Sequence, residues 1–237
     1  MSRRTLVFVA CSPHPRSGVS TTARLLTDFY LSRRAEVEGF DTDPHAQRYH
    51  ELFPDRTRVI DTADIRGQIS LFDRLLVDDG IPKIVDVWQR SYDRFFKTVK
   101  DIGFVEEAHL RGVEPILLFH ADQSDSSLAS ARSLSAAWRN IPMVVVQNEG
   151  AAPLGPYAHE TLGHYPSTRR FVVGPLDGAV AKTLEQPDLS LSRVIVSPPP
   201  DMSIVIRAAL KAWITPIFMQ FRSFELRHEL DGAQFLK

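Results

Sequence analysis

The sequence predicts an α/β protein: a doubly wound, mainly parallel sheet with helices on both faces. Three observations carry this. Short apolar runs without alternation recur along the chain, as in strands covered on both faces. Segments with helical spacing separate them, and strands alternating with helices build parallel sheets through right-handed crossovers. Polar residues collect where those runs end, and such sheets bind ligands beyond the carboxyl ends of their strands. The 237 residues fit one domain of this class, with a core over about 5–185 and a C-terminal helical segment over about 201–230. A hydrophobic fraction of 43% with 24% charged residues is ordinary for a chain that buries a large core.

The first strand is expected over 5–11, where Leu6, Val7, Phe8, Val9 and Ala10 are all apolar. A loop over 12–19, rich in Pro, Ser and Gly, leads into a helix over 20–34, with Ser17 or Ser20 as its cap. A strand over 36–41 delivers Asp41 and Asp43 to its carboxyl end, and Pro44 stops it before a short helix over 46–53. Further strands are expected at 58–61, 83–88, 115–120, 142–148 and 170–174, and further helices at 69–77, 92–111 and 126–138. Ser12 to Ser20, Asp41, Asp43, Asp86, Trp88, His120 to Asp122 and Asn148 then fall on one edge of the sheet. Residues 149–168 form a long loop containing Gly150, Pro153, Gly155, Pro156, Gly163 and Pro166, the kind that serves as a lid or binding loop. Residues 186–200 read as a stiff connector ending in Pro198-Pro199-Pro200. The stretch from Ile204 to Leu226 is apolar and helical, with Pro216 expected to kink or end it. Arg207, Lys211, Gln220 and Arg222 make it too polar for a transmembrane segment. Packing on the sheet, pairing with a partner or second copy, and lying on a membrane surface are its three readings.

Strand, tight polar loop and hydroxyl-led helix start form the layout of a phosphate loop, where backbone N–H groups and the helix dipole favour an anion. Set on the pattern G-x-x-x-x-G-K-[ST], Gly18 takes the second glycine, Ser20 the hydroxyl and Thr21 follows it. Pro13 replaces the first glycine and Val19 the lysine. An ordinary strand-to-helix turn fits the same residues.

About one βα unit later stands Phe40-Asp41-Thr42-Asp43-Pro44-His45-Ala46. With this second motif the chain resembles the ParA/MinD family of P-loop ATPases: "SGVSTTARLL" is similar to that family's "GGVGKTTLAANL", and "FDTDPHA" to its "LDxDPQ". The resemblance implies a P-loop NTPase-like fold that binds ATP or ADP with Mg²⁺. It implies that Arg16, Ser17, Gly18, Val19, Ser20 and Thr21 cradle phosphates, that Ser20 and Asp86 hold the metal, that Asp43 positions the attacking water and that Asn148 contacts the base. Alternatives stand beside these roles: Ser20 as a helix cap, Asp41 and Asp43 as an Asx turn before Pro44, Asn148 as a turn residue.

The departures bear on activity. Val19 removes a charge-assisted bond, a loss of ~2–3 kcal/mol or about a hundredfold in affinity. The family's signature lysine falls near His14, and Pro13 and Pro15 lack N–H donors. Arg16 is the cation left in the loop. ATP binding is therefore expected to be weak and hydrolysis slow or absent. A degenerate dimeric switch that positions or partitions DNA or a protein complex is one reading. A pseudo-ATPase scaffold acting through a protein partner is the second, and an α/β enzyme binding a phosphorylated metabolite the third.

The formal net charge of −1 excludes a chain-wide nucleic-acid footprint, although Arg3-Arg4, Arg33-Arg34 and Arg169-Arg170 leave room for a local nonspecific DNA patch. The single cysteine, Cys11, excludes an internal disulfide and points to a cytoplasmic setting. No zinc-type Cys/His spacing and no G-x-S-x-G elbow occur.

Overall fold

The computed structural model describes residues 4–138, 140–151, 158–165, 169–186 and 189–234. Seven strands form one sheet in the order β3-β2-β4-β1-β5-β6-β7, and every pairing is parallel. They are β1 (Thr5–Cys11), β2 (Glu38–Asp41), β3 (Thr57–Val59), β4 (Lys83–Asp86), β5 (Val113–His120), β6 (Met143–Asn148) and β7 (Arg169–Val173). β1 is central and fully buried, paired with β4 on one side and β5 on the other. Its apolar run lacks alternation because both of its faces are covered.

The helices are α1 (Val19–Ser32), α2 (Arg48–Leu52), α3 (Ile65–Leu75), α4 (Tyr92–Asp101), α5 (Phe104–Leu110), α6 (Asp125–Ala137), α7 (Ala158–Gly163), α8 (Gly178–Leu184), α9 (Leu191–Val196) and α10 (Ile204–Gln234). One face of the sheet packs against α3 to α6 through Leu71, Phe72, Phe95, Phe104, Ala131 and Leu134. The other packs against α1, α9 and α10 through Leu25, Phe29, Leu191, Ile214, Phe221 and Phe224. The expected fold class is what the chain adopts, down to the C-terminal helix.

Several expected boundaries move. The single helix over 92–111 is two, broken at Gly103, whose φ of 61° costs a glycine little and ends the α-helical run. The helix over 46–53 contracts to α2, because Gln47 sits at φ 50°. The supposed loop and connector hold α7 and α9; residues 152–157, 166–168 and 187–188 lie outside the described residues. Pro216 does not end α10, which runs through it for 31 residues. Proline removes the N–H that would reach the carbonyl of Ala212. Ile214, Ile217, Phe221 and Phe224 nevertheless lock the helix onto the sheet on both sides of the break. The Thr215 hydroxyl donates to the Lys211 carbonyl at 2.7 Å. By length and composition α10 is apolar enough to cross a membrane, contrary to the polarity expected of it, yet one of its faces lies in the core. The first of the three readings of this segment, packing on the sheet, is the arrangement observed.

Candidate functional site

The loop between β1 and α1 is held open by bonds to β5. Gly18 stands at the N-terminus of α1 with φ 85°, and Arg16 at φ 58°, both left-handed, with Ser17 between them. Such alternation curls successive backbone N–H groups into a concave, anion-binding nest. The Gly18 carbonyl accepts the first helical bond, from Thr22 N–H at 3.0 Å. A Cβ at Gly18 would lie 1.9 Å from Asn148 Nδ2, so only glycine fits on both steric and backbone grounds.

Buried His120, at the end of β5, donates from Nδ1 to the Ser17 carbonyl at 3.0 Å. Its Nε2 finds no hydrogen-bond partner among the described residues, and burial lowers its pKa to about 4, so the ring is neutral. The Ser12 hydroxyl donates to the His120 carbonyl at 3.3 Å and accepts from His14 N–H at 3.2 Å. Both ends of the loop are thus tied to one strand.

The acidic side of the site comes from β2 and β4, whose Asp41 and Asp86 are in register. Asp86 is 5% exposed; burial, with Asp41 and Asp43 close by, pushes its pKa up to about 7 against a hydrogen bond from the Ser20 side chain. Asp41 is held by the backbone: one oxygen accepts from Asp43 N–H at 3.0 Å, the other from Tyr49 and His50 N–H at 3.0 and 3.1 Å. Burial raises its pKa despite those bonds. Asp43 Oδ1 accepts from His45 and Ala46 N–H at 3.0 and 3.1 Å, the Asx turn before α2. Thr42 joins the two strand ends, its hydroxyl donating to the Asp86 carbonyl at 3.0 Å and accepting from Trp88 N–H at 2.7 Å.

A cleft of about 840 Å³ lies over these groups. Arg16, Ser17, Gly18, Val19, Ser20, Thr21, Asp43 and Asp86 all line it, so the structure brings together every expected site residue except Asn148. Asn148 sits beneath the loop instead. Its Oδ1 accepts from Gly150 and Ala151 N–H at 3.2 and 3.1 Å, and its amide packs on Gly18. The position is that of the turn residue expected as its alternative role.

His14 also reaches the cleft, but its ring is committed elsewhere: Nδ1 pairs with Asp122, and Nε2 lies 2.7 Å from Ser126 Oγ. His14 therefore offers the cleft no free cation, and Val19 offers none. Arg16 is the exposed guanidinium at the loop.

Arg24 is a cleft residue that the sequence reading missed. It is 6% exposed and donates to the carbonyls of Leu184 and Leu189, the latter at 2.7 Å. Its neighbour one turn on, Asp28, accepts from Ser192 N–H at 3.0 Å. Burial raises the Asp28 pKa to about 6 even so. The pair roots α8 and α9 on α1, and Leu184, Leu191 and Trp213 become an apolar wall of the cleft. A single cation inside the apolar run Ala23 to Leu26 was the available signal; its partners lie 160 and 165 residues away and leave no local trace.

No protein-family pattern and no curated protein matches this sequence. Among solved structures, a nucleotide-binding protein from Archaeoglobus fulgidus, determined in complex with ADP, is similar to it. The TM-score is 0.50 at 14% identity, over 82% of this chain and 89% of that one. At that identity the likeness is one of fold.

Proposed function

We propose that the chain binds a nucleoside di- or triphosphate at the β1–α1 loop and hydrolyses it slowly or not at all, as a degenerate member of the ParA/MinD type. The observation that carries this reading is the left-handed Gly18 nest at the start of α1, facing Ser20 and a buried acid across one cleft. The cleft volume lies within the range of small-molecule sites. Leu184, Leu191 and Trp213 give it an apolar wall suited to a base, in place of the contact first assigned to Asn148.

A magnesium ion fits the donors in part. Ser20 and Asp86 are already in contact, and an acid whose ionisation is suppressed by burial, and further by neighbouring carboxylates, gains from a cation. Among the described residues no group of three or more His, Cys, Asp or Glu side chains is arranged to hold a metal ion by itself, so Mg²⁺ here would draw its remaining oxygens from phosphate and water. Bound there, the ion would supply neutralisation of phosphate charge, which Arg16 alone provides from the loop. To Asp43, which lines the cleft, this reading assigns the orienting of a water.

The pseudo-ATPase scaffold is the second reading. The observation in its favour is the missing lysine, with His14 held by Asp122 and Ser126. Light scattering separates the two. A working switch becomes a dimer with ATP·Mg²⁺ and is monomeric with ADP or alone. A mass unchanged by any nucleotide leaves the scaffold, whose cytoplasmic protein partner, or nonspecific DNA contact through the arginine doublets, is then the next target.

A further inference from the structure

His14 stands between a carboxylate and an exposed hydroxyl. Its Nδ1 pairs with Asp122 Oδ2, and its Nε2 lies 2.7 Å from Ser126 Oγ. A carboxylate only accepts, so Nδ1 donates to Asp122, and Nε2 is the ring nitrogen that faces the Ser126 hydroxyl. This is the connectivity of nucleophile, general base and orienting acid. The three residues come from the β1–α1 loop, the β5–α6 loop and the first turn of α6, with His14 and Asp122 108 positions apart.

Asp122 is fixed on every side. Its Oδ1 accepts from Ser124 N–H at 2.8 Å and Ser124 Oγ at 2.5 Å. Its N–H donates to Ser127 Oγ at 3.2 Å, and its carbonyl accepts from the buried Tyr165 hydroxyl at 2.9 Å. Although partial burial would raise its pKa, the bonds from His14 and Ser124 hold it below the usual carboxylate range. Ser124 caps α6, accepting from Ser127 N–H at 3.1 Å. In the first turn, the N–H groups of Asp125 and Ser126 have no carbonyl within the helix to reach. Donors at a positive helix end are what a developing oxyanion requires.

We propose that Ser126, His14 and Asp122 form an acyl-transfer triad that hydrolyses small, uncharged carboxylic esters. Ser126 and Asp125 are exposed, so the site accepts small acyl groups without enclosing them, and the carboxylates of Asp122 and Asp125 disfavour anionic substrates. Ser126 Oγ bonds to the ester carbonyl carbon as its proton passes to His14 Nε2. The bond to the alkoxide breaks, and the alcohol leaves with that proton. Water then attacks the acyl-serine, giving its proton to His14 and through it back to Ser126, so that ester and water become acid and alcohol. Asp122 is a positioning residue that holds the ring. The proposal is independent of nucleotide binding.

The test uses the full chain with a fluorophosphonate and with p-nitrophenyl acetate. The expected result is one phosphonyl group per chain, mapped by mass spectrometry to Ser126. Ser126→Ala abolishes that label and slows ester turnover roughly a hundredfold. Asp122→Asn lowers kcat with KM unchanged, a split that a merely structural role would not give. The Ser126 hydroxyl is exposed and, among the described residues, bonds only within this cluster, to His14 and Ser124, and an unchanged thermal melt of Ser126→Ala shows that its effect does not arise from unfolding. A label absent from Ser126, or turnover by Ser126→Ala within twofold of wild type, overturns the proposal.

Discussion

At the scale of single residues, the site is defined by one apolar side chain and one buried ring. Val19 lines the cleft at the start of α1, where a lysine would add a charge-assisted bond to phosphate. Val19→Lys is expected to tighten ATP·Mg²⁺ binding about ten- to a hundredfold, read by calorimetry; unchanged affinity with the fold intact would show that the loop is in another register. His120 gives a prediction with a definite sign. Its pKa falls from the ordinary 6.5 to about 4 on folding. Below the ordinary value the unfolded chain takes up a proton that the folded chain refuses, so this residue costs stability as pH falls from about 6.5 to about 4. Asparagine keeps a donor for the Ser17 carbonyl and removes that cost. Between pH 7.5 and pH 5, the stability of His120→Asn relative to wild type should rise by about 2 kcal/mol in denaturant melts. A pH-independent difference would mean that His120 is not buried and neutral.

At the scale of elements, legibility depended on whether the determining interaction was local. β1 and the loop after it could be read because an unbroken apolar run and a glycine before a hydroxyl pair are contiguous signals. Gly103 lay in plain sight, but a glycine inside a helical pattern does not announce whether its φ is positive. Pro216, expected to kink or end the helix, does not end it: local chemistry says stop, while Ile214, Ile217, Phe221 and Phe224 on its two sides say continue, and tertiary packing wins. The capture of His14 by Asp122 and the anchoring of Arg24 were not legible, because their partners lie more than 100 residues away. Pro216 is exposed and lacks a donor within a helix, so Pro216→Ala should stabilise the chain by about 1–2 kcal/mol. Differential scanning calorimetry would show Tm rising by a few degrees; a fall would mean that the break is needed to fit α10 to the sheet.

At the scale of the whole molecule, the parallel sheet gathers groups from distant parts of the chain onto one edge. Strands β1, β2 and β4 end in the loop and the acids, β5 steadies the loop through His120, and β6 places Asn148 beneath Gly18. Helices α8 and α9, joined to α1 by Arg24 and Asp28, and α10, packed on α1 through Phe29, close the far wall. The proposed nucleotide site has Val19 and a paired His14 where phosphate-binding lysines would stand, so the proposal predicts binding without efficient hydrolysis. Calorimetric titration of the full chain with ADP·Mg²⁺, beside Gly18→Ala, is the most direct measurement. The account predicts one site per chain with Kd of about 10–500 μM, or about −7 to −4.5 kcal/mol, and no binding by a folded Gly18→Ala. An absence of heat at millimolar ADP·Mg²⁺, or equal binding by Gly18→Ala, would contradict it.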